Sequence, residues 1–290
     1  MIFGIDSASV AGNSNPDWTK AKATGPISFA LVRSNYGTTP DKAFARDWPR
    51  MKQAGLVRGA YLFLRFPRGK AVASPEAQAA AAIDTIGDLD DGDLPPTVDV
   101  EFPGKGRSET GLSAQECLDG VRAACAALAD NYGVAPIIYT SARVWRDDLG
   151  NAPADDLTES PLWLARYFFK AGPAVRDAAA FTSGKLDPPV PPPWGDADNW
   201  WIHQYQGDAT KFPGFSGNVD MNRFNVAFKG ARGERVRWIQ RRLGMSKGKT
   251  TGKFDAATEN AVRAFQDDND LVNDGIVGPR TFAYLARLAP

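Results

Sequence analysis

Hydrophobic residues in the first three quarters of the chain fall into short runs of two kinds. Runs rich in β-branched and aromatic residues predict strands, at residues 2–6, 27–34, 57–66, 97–101, 136–140, 162–167, 200–205 and 218–224. Between the early runs, apolar residues recur at helical spacing, which predicts helices over 41–55, 74–87 and 113–133. The last helix has the clearest start, because Ser113 and Glu116 stand at the spacing of a capping box.

Helices thus separate the early strands, whereas the late strands follow one another directly. This alternation predicts an α/β fold with a parallel barrel or an open doubly wound sheet. The nearly continuous apolar character of most strands fits a sheet that is covered on both faces. In a barrel, the site lies at the carboxyl ends of the strands. The polar and aromatic residues at those predicted ends are Asp6, Tyr61, Asp99, Glu101, Tyr139, Gln204 and Asp220.

The last 60 residues have a different pattern. Three short stretches show helical periodicity, and the first carries Val236, Ile239 and Leu243 on one face. Three short helices in about 60 residues make a small but viable core. We therefore predict two domains, a large one over residues 1–228 and a small, separate all-α domain of three helices over 231–290.

The formal net charge of zero hides an asymmetry between these parts. Residues 230–290 carry 11 Lys and Arg against 7 Asp and Glu, a net +4, which leaves 23 against 27, a net −4, elsewhere. A mildly basic tail fits an acidic partner, such as nucleic acid, a membrane surface or an anionic cell-wall polymer, or simply a solvated face. No helix in the tail shows the dense basic face of a DNA-binding helix, so we expect no nucleic acid partner.

Two segment types are missing from the sequence. No run approaches the roughly 18–20 apolar residues that a membrane span needs, so we expect no membrane span. The start of the chain lacks a basic region followed by an apolar one, so no signal peptide is visible. We expect a protein that is made in the cytoplasm and either stays there or leaves by another route.

The scarcity of histidine and cysteine narrows the chemistry. His203 is the single histidine, which excludes sites with two histidine ligands, and no cysteine cluster offers another zinc site. Cys117 and Cys125 are eight residues apart in a predicted helix, so their Cα atoms lie about 12 Å apart, too far for a disulfide. We therefore expect no metal and no cofactor, and carboxylate chemistry is the main class of enzyme that remains.

One stretch, "PPTVDVEFPG" at residues 95–104, carries two carboxylates in an apolar segment. In a strand, residues i and i+2 face the same side, which places Asp99 and Glu101 about 6.6–6.8 Å apart at Cα. Two carboxylates this close repel when ionised, so one pKa rises and that group can remain a general acid. Glycosidases use such a pair. The alternative is an ordinary strand with one wetted face.

Residues 1–225 also resemble a known family, glycoside hydrolase family 25, the lysozymes typified by phage and bacterial muramidases. The resemblance is carried by "FGIDSAS", "FALVRSNYGTTPD", "AGLVRGAYLFLRF", "PTVDVE", "IIYTS", "LWLARY", "HQYQG" and "GNVDMNRF", in that order. It implies an irregular TIM-like barrel of five β/α units followed by three strands, written (β/α)5(β)3. It also implies that Glu101 is the catalytic acid/base and that the motif aspartates are Asp6, Asp99 and Asp220.

The same motifs suggest residues that contact the sugar. Tyr61, Tyr139 and Trp201 could offer stacking faces, with core packing as the alternative for each, and Arg33 and Gln204 stand within matching motifs. A tryptophan is frequent in the family where His203 stands, so we expect His203 to form a wall of the cleft. All six residues are predicted to bind substrate.

Residues 231–290 resemble the peptidoglycan-binding domain 1 family, through "VRWIQRRLG", "TGKFDAATENAVRAFQ" and "DGIVGPRTFAYL". Together the two resemblances imply a muramidase that cleaves the β-1,4 bond between N-acetylmuramic acid and N-acetylglucosamine of bacterial peptidoglycan, with the tail as a wall anchor. We expect a monomer. A phage endolysin released through a holin-made hole and a bacterial effector delivered by a secretion machine remain alternatives, as does a wall-binding protein without activity.

Overall fold

The computed structural model describes residues 1–181 and 186–289, and within them ten strands form one sheet. The strands are β1 (Ile2–Ser7), β2 (Ile27–Tyr36), β3 (Thr39–Pro40), β4 (Val57–Phe63), β5 (Thr97–Asp99), β6 (Ile137–Thr140), β7 (Leu162–Phe169), β8 (Gly172–Pro173), β9 (Ile202–Thr210) and β10 (Val219–Phe224).

Eight of these strands close into a barrel. The order around the ring is β1, β2, β4, β5, β6, β7, β9 and β10, and β10 returns to pair with β1. Pairing is parallel from β1 round to β9, whereas β10 is antiparallel to both of its neighbours. The short strands β3 and β8 extend the sheet beside β2 and β9. The predicted α/β class is thus confirmed, in the form of a closed eight-stranded barrel.

Four α-helices lie between the strands of the first half. They are α1 (Trp18–Thr24), α2 (Phe44–Gln53), α3 (Pro75–Ile86) and α4 (Ala114–Tyr132). Local signals fix their ends, because the Ser74 hydroxyl caps α3 and Ser113 with Glu116 forms a capping box on α4. Gly133 ends α4 in the left-handed conformation, with φ 66°. Cys117 and Cys125 are both buried in α4 as free thiols.

Some boundaries differ from the sequence predictions. Helix α1 was not expected, because its seven residues are too few to show a clear helical period. Strand β5 ends at Asp99, so Glu101 follows the strand instead of sharing its face. None of the described helices combines the length and the apolar character needed to cross a membrane.

The tail contains helices α5 (Glu234–Arg242), α6 (Ala256–Asp268) and α7 (Pro279–Leu285). Their buried apolar residues belong to a cluster that extends into the barrel. Trp238 and Phe282 lie in one buried cluster with Phe29, Trp201 and Phe224 of the barrel. The ring of Phe282 lies 4.4 Å from that of Trp201 between centroids. The tail thus shares a buried cluster with the barrel, which the sequence did not show, since the pattern of a helix indicates that one face is buried but not against what.

This shared core lies at the base of the barrel, where the parallel strands begin. Its barrel members Phe29, Val57, Ile137 and Ile202 are all near the first residues of their strands. Backbone contacts reinforce the junction, because Ala227 and Val277 exchange two hydrogen bonds of 3.1 and 2.8 Å. The opposite rim of the barrel remains open.

Candidate active site

An open cleft of about 360 Å³ lies at the rim where the parallel strands end. Five carboxylates line it, and four of them are the predicted ones: Asp6 of β1, Asp99 at the end of β5, Glu101 just beyond it, and Asp220 of β10. Asp220 stands near the start of its strand, not at the end as predicted. It reaches the same rim because β10 runs antiparallel and pairs Asp220 with Asp6. The structure thus brings together all four predicted catalytic residues.

Gln204 of β9 holds two of these carboxylates in place. Its amide nitrogen donates to Asp6 Oδ2 at 2.8 Å and to Asp220 Oδ2 at 3.3 Å. Its carbonyl oxygen accepts from the hydroxyls of Tyr139 at 2.7 Å and Tyr167 at 2.8 Å. An amide side chain has two N–H donors and two lone pairs, so all four are used. Gln204 lines the cleft, where its hydrogen bonds position the carboxylates, and its predicted contact with substrate stays a prediction.

A second amide supports Asp6 from beneath. Asn222 is fully buried and donates to Asp6 Oδ2 at 2.7 Å, while its carbonyl oxygen accepts from Trp163 Nε1 at 2.8 Å. Asn222 pairs with Gln204 across β9 and β10, so the two amides emerge on the same face of the sheet. Asp6 therefore receives two hydrogen bonds on one oxygen and is held rigidly.

Burial and crowding raise the pKa values of the carboxyls in this cleft. Burial raises the pKa of Asp99 well above its usual range, and the charges of Glu101 and Asp6 add to the rise. Asp99 Oδ1 is buried and has no hydrogen-bond partner among the described residues, and the charge of Arg33 opposes only part of the rise. Burial also raises the pKa of Glu101, with a partial offset from the Tyr139 hydroxyl and the Arg143 guanidinium.

The other two carboxyls follow the same trend. Burial, followed by the charge of Asp220, raises the pKa of Asp6 well above its usual range, and the amide hydrogen bonds oppose part of that rise. Burial raises the pKa of Asp220 to about 6, although the backbone N–H of Asp208 donates to it at 2.7 Å. Burial and mutual repulsion thus favour the protonated forms of these carboxyls, which is the condition for a carboxyl to act as an acid.

Three further predicted residues line the cleft. Tyr61 and Tyr139 pack edge-on against Trp163, with centroid distances of 5.9 and 4.5 Å. Arg33 faces the cleft while its guanidinium is paired with Asp41 at 2.8 Å. Their placement fits the predicted role in holding substrate.

Two predicted substrate-binding residues lie elsewhere. Trp201 is buried at the base of the barrel, against Phe282 of the tail. His203 is fully buried outside the cleft, where Nε2 lies 2.9 Å from the Arg166 carbonyl oxygen and Nδ1 accepts from Arg223 Nε at 2.9 Å. Burial lowers the pKa of His203 to about 3, so the ring is neutral. The structure therefore corrects both predictions: neither side chain can form a wall of the cleft.

Among the residues that the sequence interpretation missed are Trp163, Tyr167 and Asp208, which line the cleft, and Asn222, which lies buried beneath it. Two signals were available, because Trp163 and Tyr167 share a face of β7, and Asn222 shares a face of β10 with Asp220. Asp208 has no such signal, as it lies where β9 is irregular and its φ is 50°. Within the described residues, no group of three or more His, Cys, Asp or Glu side chains is arranged to hold a metal ion.

A barrel whose rim carries paired carboxyls with raised pKa values has the groups for acid-assisted glycoside cleavage. The family model for glycosyl hydrolases family 25 matches residues 5–215, and a peptidoglycan binding domain model matches residues 232–285. The first match spans more than half of the chain, so the chain belongs to glycosyl hydrolase family 25. The resemblance noted from the motifs is confirmed for both parts.

Individual relatives agree with this assignment. Lysozyme M1 of Streptomyces globisporus is 29% identical over 229 residues, which are 77% of this chain and 68% of that protein. An uncharacterized protein, YegX of Escherichia coli O157:H7, is 29% identical over 200 residues, which are 69% of this chain and only 60% of YegX. The chain thus matches about three fifths of the length of that relative.

Solved structures show the same fold. A bacterial lysozyme from Streptomyces coelicolor superposes with a TM-score of 0.61 at 27% identity, over 77% of this chain and 92% of that one. A muramidase from Acremonium alcalophilum superposes with a TM-score of 0.60 at 26% identity, over 77% and 93%.

Proposed function

We propose that the protein is a peptidoglycan hydrolase, a lysozyme that cleaves the β-1,4 bond between N-acetylmuramic acid and N-acetylglucosamine in bacterial cell wall. We further propose that its barrel is the irregular (β/α)5(β)3 form. One observation carries the proposal: Asp99 and Glu101 meet in an open cleft, and burial raises the pKa of both. Family membership and the lysozyme and muramidase relatives support it.

Glu101 is the proton donor in this mechanism. It is half-buried, so it reaches solvent and substrate, and its raised pKa keeps a fraction of the carboxyl protonated for transfer to the leaving oxygen. Hydrolysis then returns a proton to Glu101 as water attacks the sugar centre.

Ionised Asp99 stabilises the positive charge that develops at the sugar, and that charge in turn favours the ionised form of the carboxyl. Its Oδ1 lacks a partner among the described residues, so it is free to accept a hydrogen bond from substrate. Two roles remain open for it: it orients the 2-acetamido group of the sugar, which attacks to form a cyclic intermediate, or it acts on the sugar centre directly. Asp6 and Asp220 line the same cleft, and the charge of Glu101 raises the pKa of both, so their protonation is linked to that of the acid.

The tail fits a wall-binding role, because its family model is that of a peptidoglycan binding domain. We propose that bacterial peptidoglycan is the partner of both parts and that the protein acts at the cell wall as a monomer. For its route from the cytoplasm to the wall, we propose first that it is a phage endolysin released through a holin-made hole. Delivery by a dedicated secretion machine is the second proposal.

Product analysis tests the activity. Purified peptidoglycan is digested, reduced with borohydride and examined by mass spectrometry. Reduced muramic acid at the new chain ends is the expected result, whereas reduced glucosamine would assign a different glycosidase. Glu101→Gln should lose about 10²-fold or more in rate, because an amide cannot supply the proton.

A matched variant controls for loss of folding. Glu76 is exposed on α3 and lies outside the cleft, so Glu76→Gln should keep full activity. Circular dichroism confirms that both variants are folded. A folded Glu101→Gln protein with most of the wild-type rate would remove Glu101 from the mechanism, and a wild-type protein that binds walls without clearing a cell suspension would favour a binding protein.

A further inference from the structure

A second cleft, of about 500 Å³, adjoins the first. Glu101, Tyr139 and Tyr167 line both, so Glu101 stands at the junction between them. A glycan whose scissile bond lies at Glu101 therefore extends into both clefts. The second cleft accommodates groups on one side of that bond.

The two clefts carry opposite charge. Among the described lining residues, the first has five carboxylates and a single cation, Arg33, which is paired with Asp41. The second has the single carboxylate of Glu101 and three arginines, Arg143, Arg146 and Arg166. A substrate that spans both therefore meets a change in electrostatic sign at the bond to be broken.

The charges of two of these arginines are mostly uncompensated. Arg146 is bound by its neighbour Asp147 at 2.7 Å. Arg143 only approaches Asp148, at 3.6 Å, and its side chain is 60% exposed. Arg166 is exposed, and no carboxylate of the described residues lies within 4 Å of it. Arg143 and Arg166 thus have N–H donors available for a ligand.

Rigid elements hold these two side chains at the cleft. Arg143 immediately precedes a turn of π-helix, Val144–Asp148, anchored by Trp145, which is fully buried and packs against Trp194 with a centroid distance of 4.8 Å. Arg166 belongs to β7, and its carbonyl oxygen is bound by the His203 ring. His203, which the mechanism does not use, thereby supports this wall from behind.

We propose that Arg143 and Arg166 bind a carboxylate carried by the muramic acid residue of the substrate, and so determine specificity. This inference rests on the proposed function. The sugar rings of the glycan are neutral, and its negative charge lies on the lactyl ether or on the peptide stem attached to it. Guanidinium groups bind carboxylates through charge-assisted, often bidentate hydrogen bonds. The cleft would therefore recognise the acidic substituent of the muramic acid residue and not the sugar backbone.

Binding measurements in the Glu101→Gln background test this without turnover. Two soluble glycans are titrated, one stripped of peptide with free lactyl carboxylates and one with intact stems, each also with its carboxyls blocked as methylamides. For at least one of the two glycans, we expect the free-acid form to bind about tenfold more tightly than the methylamide form, since hydrogen bonds between charged partners are the strong ones. A preference shown by the stripped glycan identifies the lactyl carboxylate as the ligand, and a preference shown by the glycan with intact stems identifies a stem carboxylate.

The arginine variants supply the decisive comparison. Arg166→Gln and Arg143→Gln should each reduce the ratio of free-acid to blocked affinity severalfold, and the double variant should bring it close to 1. Arg50→Gln is the matched control, because Arg50 is exposed on α2 and lines neither cleft, and it should keep the wild-type ratio. Added salt should weaken the preference of the unmodified cleft.

Two outcomes would overturn the inference: no preference for the free acid with either glycan, or a preference that survives in the double variant. If the Glu101→Gln protein does not fold, the ratio of kcat/KM values of the wild type on the same substrate pairs replaces the affinity ratio. A protein that binds the free acid with the expected ratio but releases no reduced muramic acid would refute the proposed activity alone.

Discussion

Replacement of Phe282 by alanine should destabilise the barrel as well as the tail. Phe282 is fully buried on α7 and packs against Trp201, which belongs to the barrel, and against Trp238 of α5, at centroid distances of 4.4 and 5.5 Å. Truncation of a buried phenylalanine costs about 3–5 kcal/mol of unfolding free energy. At about 2 °C per kcal/mol for a chain of this size, the melting temperature should fall by about 6–10 °C.

The assay must distinguish a shared core from an independent tail. Differential scanning calorimetry follows global unfolding, and residual clearing of bacterial cells after heating follows the barrel. In Phe282→Ala, the calorimetric melting temperature and the temperature at which clearing activity is lost should fall together. Val272 is 79% exposed on the tail, so Val272→Ala should change stability by no more than about 0.5 kcal/mol.

A double-mutant cycle measures the junction itself. Trp201→Ala should cost a similar amount, and the two substitutions together should cost less than their sum by about 0.5–3 kcal/mol, as expected for residues in contact. The reasoning fails if Phe282→Ala melts a separate tail transition while the loss of activity on heating stays at the wild-type temperature.

Three further predictions concern the cleft. The pH–rate profile should be bell-shaped, and its alkaline limb should lie above the ~4.3 of a free glutamate, because Glu101 must stay protonated; a limb at or below that value contradicts its role. The folded pKa of Asp220, about 6, exceeds its ordinary 3.8, so folding binds a proton between these values and stability falls as pH rises through them. Asp220→Asn should flatten this fall by up to about 3 kcal/mol, as measured by urea unfolding at pH 4 and pH 7. Gln204→Leu removes one hydrogen bond from each of Asp6 and Asp220 and the Gln204 acceptor from two tyrosine hydroxyls, so it should cost about 1–3 kcal/mol and lower the rate; an unchanged melting temperature would contradict the positioning role.

The meeting of the four carboxylates was predictable because a topological rule governs it. In a closed barrel the carboxyl ends of all parallel strands share one rim, so Asp6, Asp99 and Glu101 had to converge once the strands were recognised. The exact end of β5 did not matter, since Glu101 enters the same cleft from just beyond the strand. Asp220 reached it for a reason that the pattern did not show, the reversed direction of β10.

The positions of Trp201 and His203 were harder to predict, for two physical reasons. Successive strand residues face opposite sides, and in a sheet with both faces covered, apolar character does not reveal which side is inward. His203 and Gln204 are neighbours, yet only Gln204 faces the cleft. Trp201 directly precedes β9, so it lies at the base, where the undetected contact with the tail buries it.

The shared core at the base of the barrel also determines how far the tail can move relative to the cleft. The tail is attached at the end where the parallel strands begin, and the cleft opens at the end where they finish. A tail fixed in this way does not swing on a tether, so a wall strand bound by it would stay at a fixed distance from the strand that enters the cleft. The proposed enzyme would then cut neighbours of the strand it grips, which spaces successive cuts by the dimensions of the protein instead of by the length of a linker.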